Sequence, residues 1–444
     1  MSITKKYYIE TFGCQMNDRD SEIMSQLMSE TFAPTTSVED ADIVLVNTCS
    51  IRQKAEHKAM SLLGTLRLIK ESKNDLIIGI VGCVAQQEGQ KLLQRLPFVD
   101  LVMGTQSLYN LPALLADIIN NKKRIVSVEQ NSEFVIPPFL PEPNSGPHHK
   151  RFITIMQGCN NFCTYCVVPF TRGREISRKF SEIVTEADHL ARQGVKEITL
   201  LGQNVNSYGR NSDGKQEHTF AELLEAVSHV PGLNRLRFTT SNPKDLTIDL
   251  LECFSRIDIL CSHFHLPVQS GSNAILTAMN RKYSVDTYYE LIEQLRRHRS
   301  DIAITTDIIV GFPGESDNDF QATYDLVEKV RYHGAYSFKY SDRPHTKSAK
   351  FDCKVPEAIK IKRLAVLQKR IDEICLERNQ EYIGQALEIM VEGQSKGQNN
   401  QWNGRTTTNH IVHFTCRSAL EPGQLVTIEI DEACQNSLRG HMYD

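Results

Sequence analysis

Met156-Gln157-Gly158-Cys159-Asn160-Asn161-Phe162-Cys163-Thr164-Tyr165-Cys166 sets three cysteines at C-x3-C-x2-C spacing on a loop that follows the apolar run Phe152 to Met156. Three thiolates are one short of a closed metal shell. A 4Fe-4S cluster on Cys159, Cys163 and Cys166 leaves one iron without a protein ligand, open to a substrate or cofactor. Structural zinc closes its shell with four ligands, and no C-x2-C partner or H-x3-H follows at finger spacing. A redox dithiol at Cys163 and Cys166 is the other alternative. The spacing reads as a reactive cluster.

With an aromatic, Tyr165, before the last cysteine, this loop resembles the signature of the radical S-adenosylmethionine superfamily. The resemblance implies that the open iron chelates S-adenosylmethionine and that one electron splits its sulfonium to give a 5'-deoxyadenosyl radical. The hard chemistry then belongs to the cofactor, and the protein positions it.

Upstream, three segments share one design, an apolar strand that stops at a cysteine and is followed by a helix. They run Tyr7 to Cys14, Asp42 to Cys49 and Leu76 to Cys83, with helical stretches at Ser21 to Phe32, Arg52 to Glu71 and Gln86 to Arg95. Near-continuous apolar runs alternating with helices indicate a parallel sheet covered on both faces, and ligands gather at the carboxyl ends of such strands. Cys14, Cys49 and Cys83 therefore converge across gaps of 35 and 34 residues. Three buried small hydrophobes would read the same way. Gly13 and Gly82, which let backbone approach closely, favour a second open-site cluster.

The neighbouring residues Thr11-Phe12-Gly13-Cys14-Gln15-Met16-Asn17, Asn47-Thr48-Cys49-Ser50-Ile51-Arg52 and Gly82-Cys83-Val84-Ala85-Gln86-Gln87-Glu88 resemble the amino-terminal domain of the methylthiotransferases. Gly158-Cys159-Asn160-Asn161-Phe162-Cys163 and Val168-Pro169-Phe170-Thr171-Arg172-Gly173-Arg174-Glu175 fit the same family, and the resemblance covers essentially the whole chain.

Five prolines fall between Ile136 and Pro147, a stiff linker. Beyond it strand and helix alternate six more times. Strands are expected at Phe152 to Met156, Lys196 to Leu201, Arg235 to Thr240, Ile257 to His265, Ile302 to Val310 and Ala335 to Tyr340. Helices such as Phe180 to Arg192, Ser284 to Arg297 and Asp317 to Val330 lie between them. Six units are too few to close an eight-stranded barrel, and the superfamily is known for an open one. Strand ends here are polar or glycine-rich, which any turn favours, but as a set they build barrel active sites. The resemblance implies an S-adenosylmethionine pocket of Tyr165, Gly202, Gln203, Asn204, Ser241, Gln269, Ile309 and Gly311. Gly202-Gln203-Asn204 replaces the superfamily's common Gly-Gly-Glu. His263 and His265 share a face of their strand and are expected to be satisfied core histidines.

Between Arg343 and Arg370 nine Lys or Arg face two acids, a candidate grip for RNA phosphates, with Arg172, Arg174, Arg178 and Lys179 as a second patch. Helical Pro356 to Glu381 leads into short strands at Ala386 to Val391, Ile411 to Thr415 and Leu425 to Ile430, a small antiparallel barrel. It resembles the TRAM domain, an RNA-binding module of the oligonucleotide-binding type. From Arg378 to Asp444, however, five basic residues meet eight acidic ones, which weakens a phosphate grip there. Trp402, the single tryptophan, is expected in the core rather than stacked on a base.

The 444 residues with net charge −4 exclude a strongly basic nucleic-acid binder judged on totals. Met1 to Glu10 lacks an apolar signal core and no run approaches a membrane span, so a cytoplasmic protein is expected. Its twelve cysteines are then not disulfides, and Cys253, Cys261, Cys353, Cys375, Cys416 and Cys434 show no ligand spacing. The expected fold class is multidomain α/β. It comprises an N-terminal parallel α/β domain (1–125), a linker (126–147), a partial (βα)6 radical-SAM barrel (148–377) and a TRAM-like small barrel (378–444).

The family resemblance implies two 4Fe-4S clusters, S-adenosylmethionine as cofactor, and no catalytic residue beyond the cluster ligands. The implied substrate is a tRNA anticodon stem-loop carrying N6-dimethylallyladenosine at position 37, methylthiolated at C2 by a monomer whose reductant and sulfur donor are not readable from the chain. An unactivated C–H bond has no acid–base route at neutral pH, so radical chemistry suits it. Alternatives are threonylcarbamoyladenosine tRNA, ribosomal protein S12, or a non-catalytic iron-sulfur RNA-binding protein.

Overall fold

The computed structural model describes residues 5–50, 53–131, 133–142, 148–210, 217–395, 401–416 and 419–442. The three expected apolar strands, Lys6–Phe12, Ile43–Thr48 and Ile77–Gly82, form the centre of a six-stranded, wholly parallel sheet. Its edges are short: Ala33–Pro34 on one side, Leu101–Met103 and Ile125–Ser127 on the other. Both faces are covered. Ile43, Leu45 and Val81 pack with Met24 and Leu115 on one side, while Val44, Val46 and Ile80 pack with Leu63 and Leu92 on the other. The first helix, Gln15–Ser29, begins at once after Cys14 instead of at Ser21. The third begins at Cys83 and breaks at Gly89 into Cys83–Glu88 and Gln90–Arg95.

Two three-stranded parallel sheets follow. Lys150–Thr154, Glu197–Leu201 and Arg235–Thr239 make one; His263–His265, Ala303–Val310 and Gly334–Lys339 make the other. A parallel bridge between Leu236 and Leu260 joins them, so six strands form a barrel left open between its first and last members. The expected strand from Ile257 shrinks to His263–His265 because the preceding residues turn under the helix Ile248–Arg256, where the Ile257 N–H closes on Cys253.

After the 24-residue helix Glu357–Gln380 comes a closed barrel with the order Ala386–Gln394, Gln401–Thr406, Ile411–Thr415, Leu438–Met442, Leu425–Ala433. The expectation of an antiparallel barrel needs correction at one seam, since Ile411–Thr415 runs parallel to Leu438–Met442 to close the circle. Trp402 is buried in its core. The barrel docks on the amino-terminal ends of the parallel strands. Arg237 donates to the Thr406 carbonyl at 2.7 Å and the Thr407 carbonyl at 3.1 Å, and Lys150 pairs with Glu392 at 2.6 Å. The open mouth lies at the other end. Among the described residues no helix is long and apolar enough to cross a membrane.

Charge, not apolar contact, joins the first sheet to the open barrel. On helix Gln15–Ser29, Arg19 pairs with Glu186, Asp20 takes Arg172 Nη2 at 2.6 Å, and Glu22 pairs with Arg151. Glu186 also receives Arg178 Nη1 at 2.7 Å and is fully buried. The proposed RNA patch at Arg172 and Arg178 is thereby corrected, because both are buried in this interface; Arg174 and Lys179 remain on the surface. The proline-rich stretch packs onto the same junction, with Gln26 Nε2 on the Leu140 carbonyl at 3.0 Å and Phe139 beneath the Arg19 guanidinium; residues 143–147 of that stretch lie outside the described residues. Removing Glu186 leaves buried Arg178 without a carboxylate and takes from buried Arg19 one of its two, Glu22 being the other. Glu186→Ala should therefore destabilise the protein by about 3–5 kcal/mol, read as a lowered urea unfolding midpoint, while an exposed Glu293→Ala control shifts it by less than about 0.5 kcal/mol.

Candidate functional site

Residues between the short antiparallel pair Met156–Gln157 and Ile176–Ser177 form one excursion that contains the three-cysteine loop. Gly158, at φ +80°, allows the turn; a Cβ there would stand 2.0 Å from the Arg174 carbonyl oxygen. Gln203 Oε1 accepts from the Gly158 N–H at 2.6 Å, and the Cys159 N–H reaches the Gly173 carbonyl at 3.3 Å. On its far side the loop is stapled to residues 278–281. Thr164 N–H donates to the Met279 carbonyl at 3.0 Å, Asn280 Nδ2 donates to the carbonyls of Asn161 and Phe162, and Arg281 Nη1 lies 3.4 Å from Cys163 Sγ. Burial, with the neighbouring Cys163 acting in the same direction, pushes the Cys159 thiol up to about 11 and the Cys166 thiol up to about 12. Thiols so disfavoured as bare thiolates are satisfied by a cation-rich partner, and three sulfurs with Arg281 behind them suit an iron-sulfur cluster. Among the described residues no three His, Cys, Asp or Glu side chains are gathered tightly enough to hold a single ion.

Tyr165 is half-buried against a cluster that includes Phe312 and Tyr340. Gly202 packs on Met156, where a Cβ would meet the Met156 side chain at 2.5 Å. Asn204 is buried and donates to Ser207 Oγ and to Asp245 Oδ2 at 2.8 Å. Gln269, at φ +74°, links its backbone to Asp307 and Ile309. Gly311 donates to Glu315 Oε1 at 2.8 Å and lies against Lys360 on the long helix. At the second and third strand ends, Asn204 Oδ1, Asn206 Oδ1 and Ser241 Oγ are buried without a hydrogen-bond partner. Orphaned acceptors and a hydroxyl in one place fit a polar ligand such as S-adenosylmethionine. Glu175, which ends the motif Val168 to Glu175 and carries no sequence signal of a role, lies among Ser207, Arg210 and Asp245, and burial raises its carboxyl to about 7. Asn280 and Arg281 carry no sequence signal that ties them to the loop.

The second triad also meets. Cys14 is the N-cap of helix Gln15–Ser29, Cys49 follows Ile43–Thr48 and Cys83 follows Ile77–Gly82. The Cys49 thiol hydrogen-bonds Cys14 and lowers it to about 6, with Arg172 adding in the same direction against burial. Burial raises Cys83, opposed by Arg172. The strand ends are crowded. A Cβ on Gly13 would come 2.9 Å from Cys49 Cβ, and one on Gly82, at φ +89°, 2.5 Å from Asn47 Oδ1. Asn17 stitches them, with its Nδ2 donating to Asn47 Oδ1 and the Thr48 carbonyl. Three thiols at three adjacent strand ends, with a cation beside them, again fit a cluster bound through three ligands.

His263, His265 and Thr305 form a hydrogen-bonded group on the barrel's inner face, with burial holding His263 well below the usual imidazole range.

Residues 6–104 match the uncharacterized protein family UPF0004, residues 153–327 the radical SAM superfamily and residues 380–443 the TRAM domain. A protein of Desulfotalea psychrophila named tRNA-2-methylthio-N(6)-dimethylallyladenosine synthase is 50% identical over 447 residues, covering 99% of both chains. One of the same name from Syntrophus aciditrophicus is 46% identical over 99% of this chain and 94% of its own. Among solved structures, a radical S-adenosylmethionine methyltransferase from Kitasatospora setae with cobalamin and a 4Fe-4S cluster bound has the same fold. Its TM-score is 0.56 at 14% identity, over 78% of this chain and 74% of that one.

Gly158→Ala should lower the iron retained per chain after anaerobic reconstitution, since the added methyl meets backbone and not a yielding side chain. Gly194→Ala, with nothing within 4 Å of its Cβ, should leave iron unchanged although its φ of +95° is equally left-handed.

Proposed function

The chain belongs to the methylthiotransferase family of radical S-adenosylmethionine enzymes, and from that premise we propose that it methylthiolates N6-dimethylallyladenosine in tRNA, at C2 of the base at position 37. One observation carries this reading: two separate thiol triads flank a single segment, Arg172 to Glu175, whose backbone holds the first and whose Arg172 side chain reaches the second. Cys159, Cys163 and Cys166 would hold one 4Fe-4S cluster and Cys14, Cys49 and Cys83 another. When bound, the first supplies the electron that opens the sulfonium of S-adenosylmethionine, and the second supplies the sulfur.

The protein's own part is placement. Gln203 fixes the Gly158 turn, while Asn204, Asn206 and Ser241 offer polar atoms toward the cofactor and Tyr165 closes an apolar wall. Arg281 holds Cys163 from behind. Adenine buried in the anticodon stack cannot reach a barrel mouth, so the nucleotide is splayed out, as single-stranded loops permit. A tRNA substrate supports a cytoplasmic reaction.

The basic stretch needs refinement as an RNA grip. Arg363 is buried on Glu315 at 2.7 Å, Arg370 pairs with Glu328 at 2.5 Å, and Lys354 pairs with Asp342 at 2.5 Å. Lys347, Lys350 and Lys362 are exposed. The first two flank the segment whose Ser348 N–H bonds the Thr164 carbonyl at 2.9 Å, beside the cysteine loop.

Tests follow from these assignments. Mass spectrometry of tRNA nucleosides from a strain lacking this protein should show dimethylallyladenosine without its methylthio group; loss from the threonylcarbamoyl species instead would sink the substrate assignment. Cys49→Ala should lose about four of about eight irons, still yield 5'-deoxyadenosine, and make no methylthiolated tRNA, whereas Cys159→Ala should yield neither product. Neutralising Lys347, Lys350 and Lys362 should flatten the salt dependence of tRNA binding by up to about three units of slope, measured by filter binding across a salt series.

A further inference from the structure

Arg172 has a hydrogen-bonding capacity that the fold leaves unused. Its Nη2 donates to Asp20 at 2.6 Å, and its carbonyl accepts from Gln157 Nε2 at 3.4 Å. Its Nη1, in a side chain only 4% exposed, meets no acceptor at full hydrogen-bond geometry, and the Cys83 thiol is the group within its reach. A buried guanidinium N–H without an acceptor is costly, and such groups in folded proteins mark a missing partner. Arg19 Nε and Arg178 Nη2 in the same interface are also unpartnered, but those two side chains share Glu186, whereas Arg172 lies beside the Cys83 thiol. Arg172 is the cation that bears on both Cys14 and Cys83.

We propose that Arg172 is a positioning residue for sulfur: its Nη1 donates to a sulfur atom held at the Cys14, Cys49 and Cys83 site, while Asp20 fixes the other half of the guanidinium. The assignment rests on the two-cluster reading above. A charge-assisted donor favours an anionic sulfur, sulfide or methanethiolate, over a neutral one. The rigid, bidentate shape of guanidinium suits the task, because one edge takes a carboxylate while the other stays aimed at the thiols. Arg172 also lies one residue from Gly173, whose carbonyl holds the Cys159 N–H, so the donor is set at a fixed offset from the first triad. No group transfer is assigned to Arg172.

The test uses full-length protein reconstituted with both clusters and saturated with S-adenosylhomocysteine, which has no sulfonium to cleave, so that added sodium sulfide reads the second site alone. Sulfide affinity is followed by the change in electron paramagnetic resonance of the reduced protein. Arg172→Gln should weaken sulfide binding roughly tenfold or more and lower the midpoint potential of the second cluster more than that of the first. Arg172→Lys should recover part of the affinity. Asp20→Asn breaks the ion pair but keeps the donor, and should hold affinity within about threefold of the parent.

Unchanged affinity and potential in an Arg172→Gln protein of full iron content would overturn the role of Arg172 alone. A loss in Asp20→Asn as large as that in Arg172→Gln would overturn it too, assigning the effect to the interface. Should the Gln variant fail to assemble, the comparison of Arg172→Lys with Asp20→Asn decides by the same criterion. A parent protein with one cluster, or with two and no response to sulfide, would refute the two-cluster reading and this assignment with it.

Discussion

The arrangement hangs on a lattice of buried charge. Arg19, Asp20 and Glu22 on one helix meet Arg151, Arg172, Arg178 and Glu186 on the open barrel, and Arg19 and Glu186 are essentially withdrawn from water. Withdrawing ions carries a desolvation penalty that mutual attraction only offsets when geometry is good, so such a junction contributes less to stability than to uniqueness of fit. An apolar seam could slide; this one has a single register that satisfies its charges. That register sets the distance between two thiol triads drawn from different sheets.

Within each triad the determining feature is how closely backbones approach. Gly13 and Gly82 let three strand ends crowd until Cys14, Cys49 and Cys83 share one space, and Gly158 lets the cysteine loop fold back on residues 173 and 174. Side chains then lock what the glycines permit, Asn17 in one case and Gln203 with Asn280 in the other. The excursion between Met156–Gln157 and Ile176–Ser177 serves both triads, which ties their geometries together.

Strands long and apolar enough to be buried on both faces were legible in the chain, and with them the convergence of cysteines at their ends. Edge strands of two or three residues, such as Ala33–Pro34 and Leu101–Met103, carry too little periodicity to register. Gln401–Thr406 and Leu438–Met442 are polar and glycine-bearing, and become strands only because the barrel closes on them. The cysteine loop was plain in the sequence, but its supports Asn280 and Arg281 come from more than a hundred residues away. Charge counting misjudged Arg172, Arg178, Arg363 and Arg370, since a local tally cannot see Asp20, Glu186, Glu315 or Glu328 arriving from elsewhere.

A junction made of ions also shapes how the molecule can be built. The apolar cores of the first sheet, the open barrel and the closed barrel are separate clusters that do not fuse across the boundary. When the halves part, the surfaces exposed along the salt-bridge lattice are wettable, unlike the sticky patches that drive aggregation. Rising ionic strength weakens the attraction between parted halves, so closure is the step that salt slows.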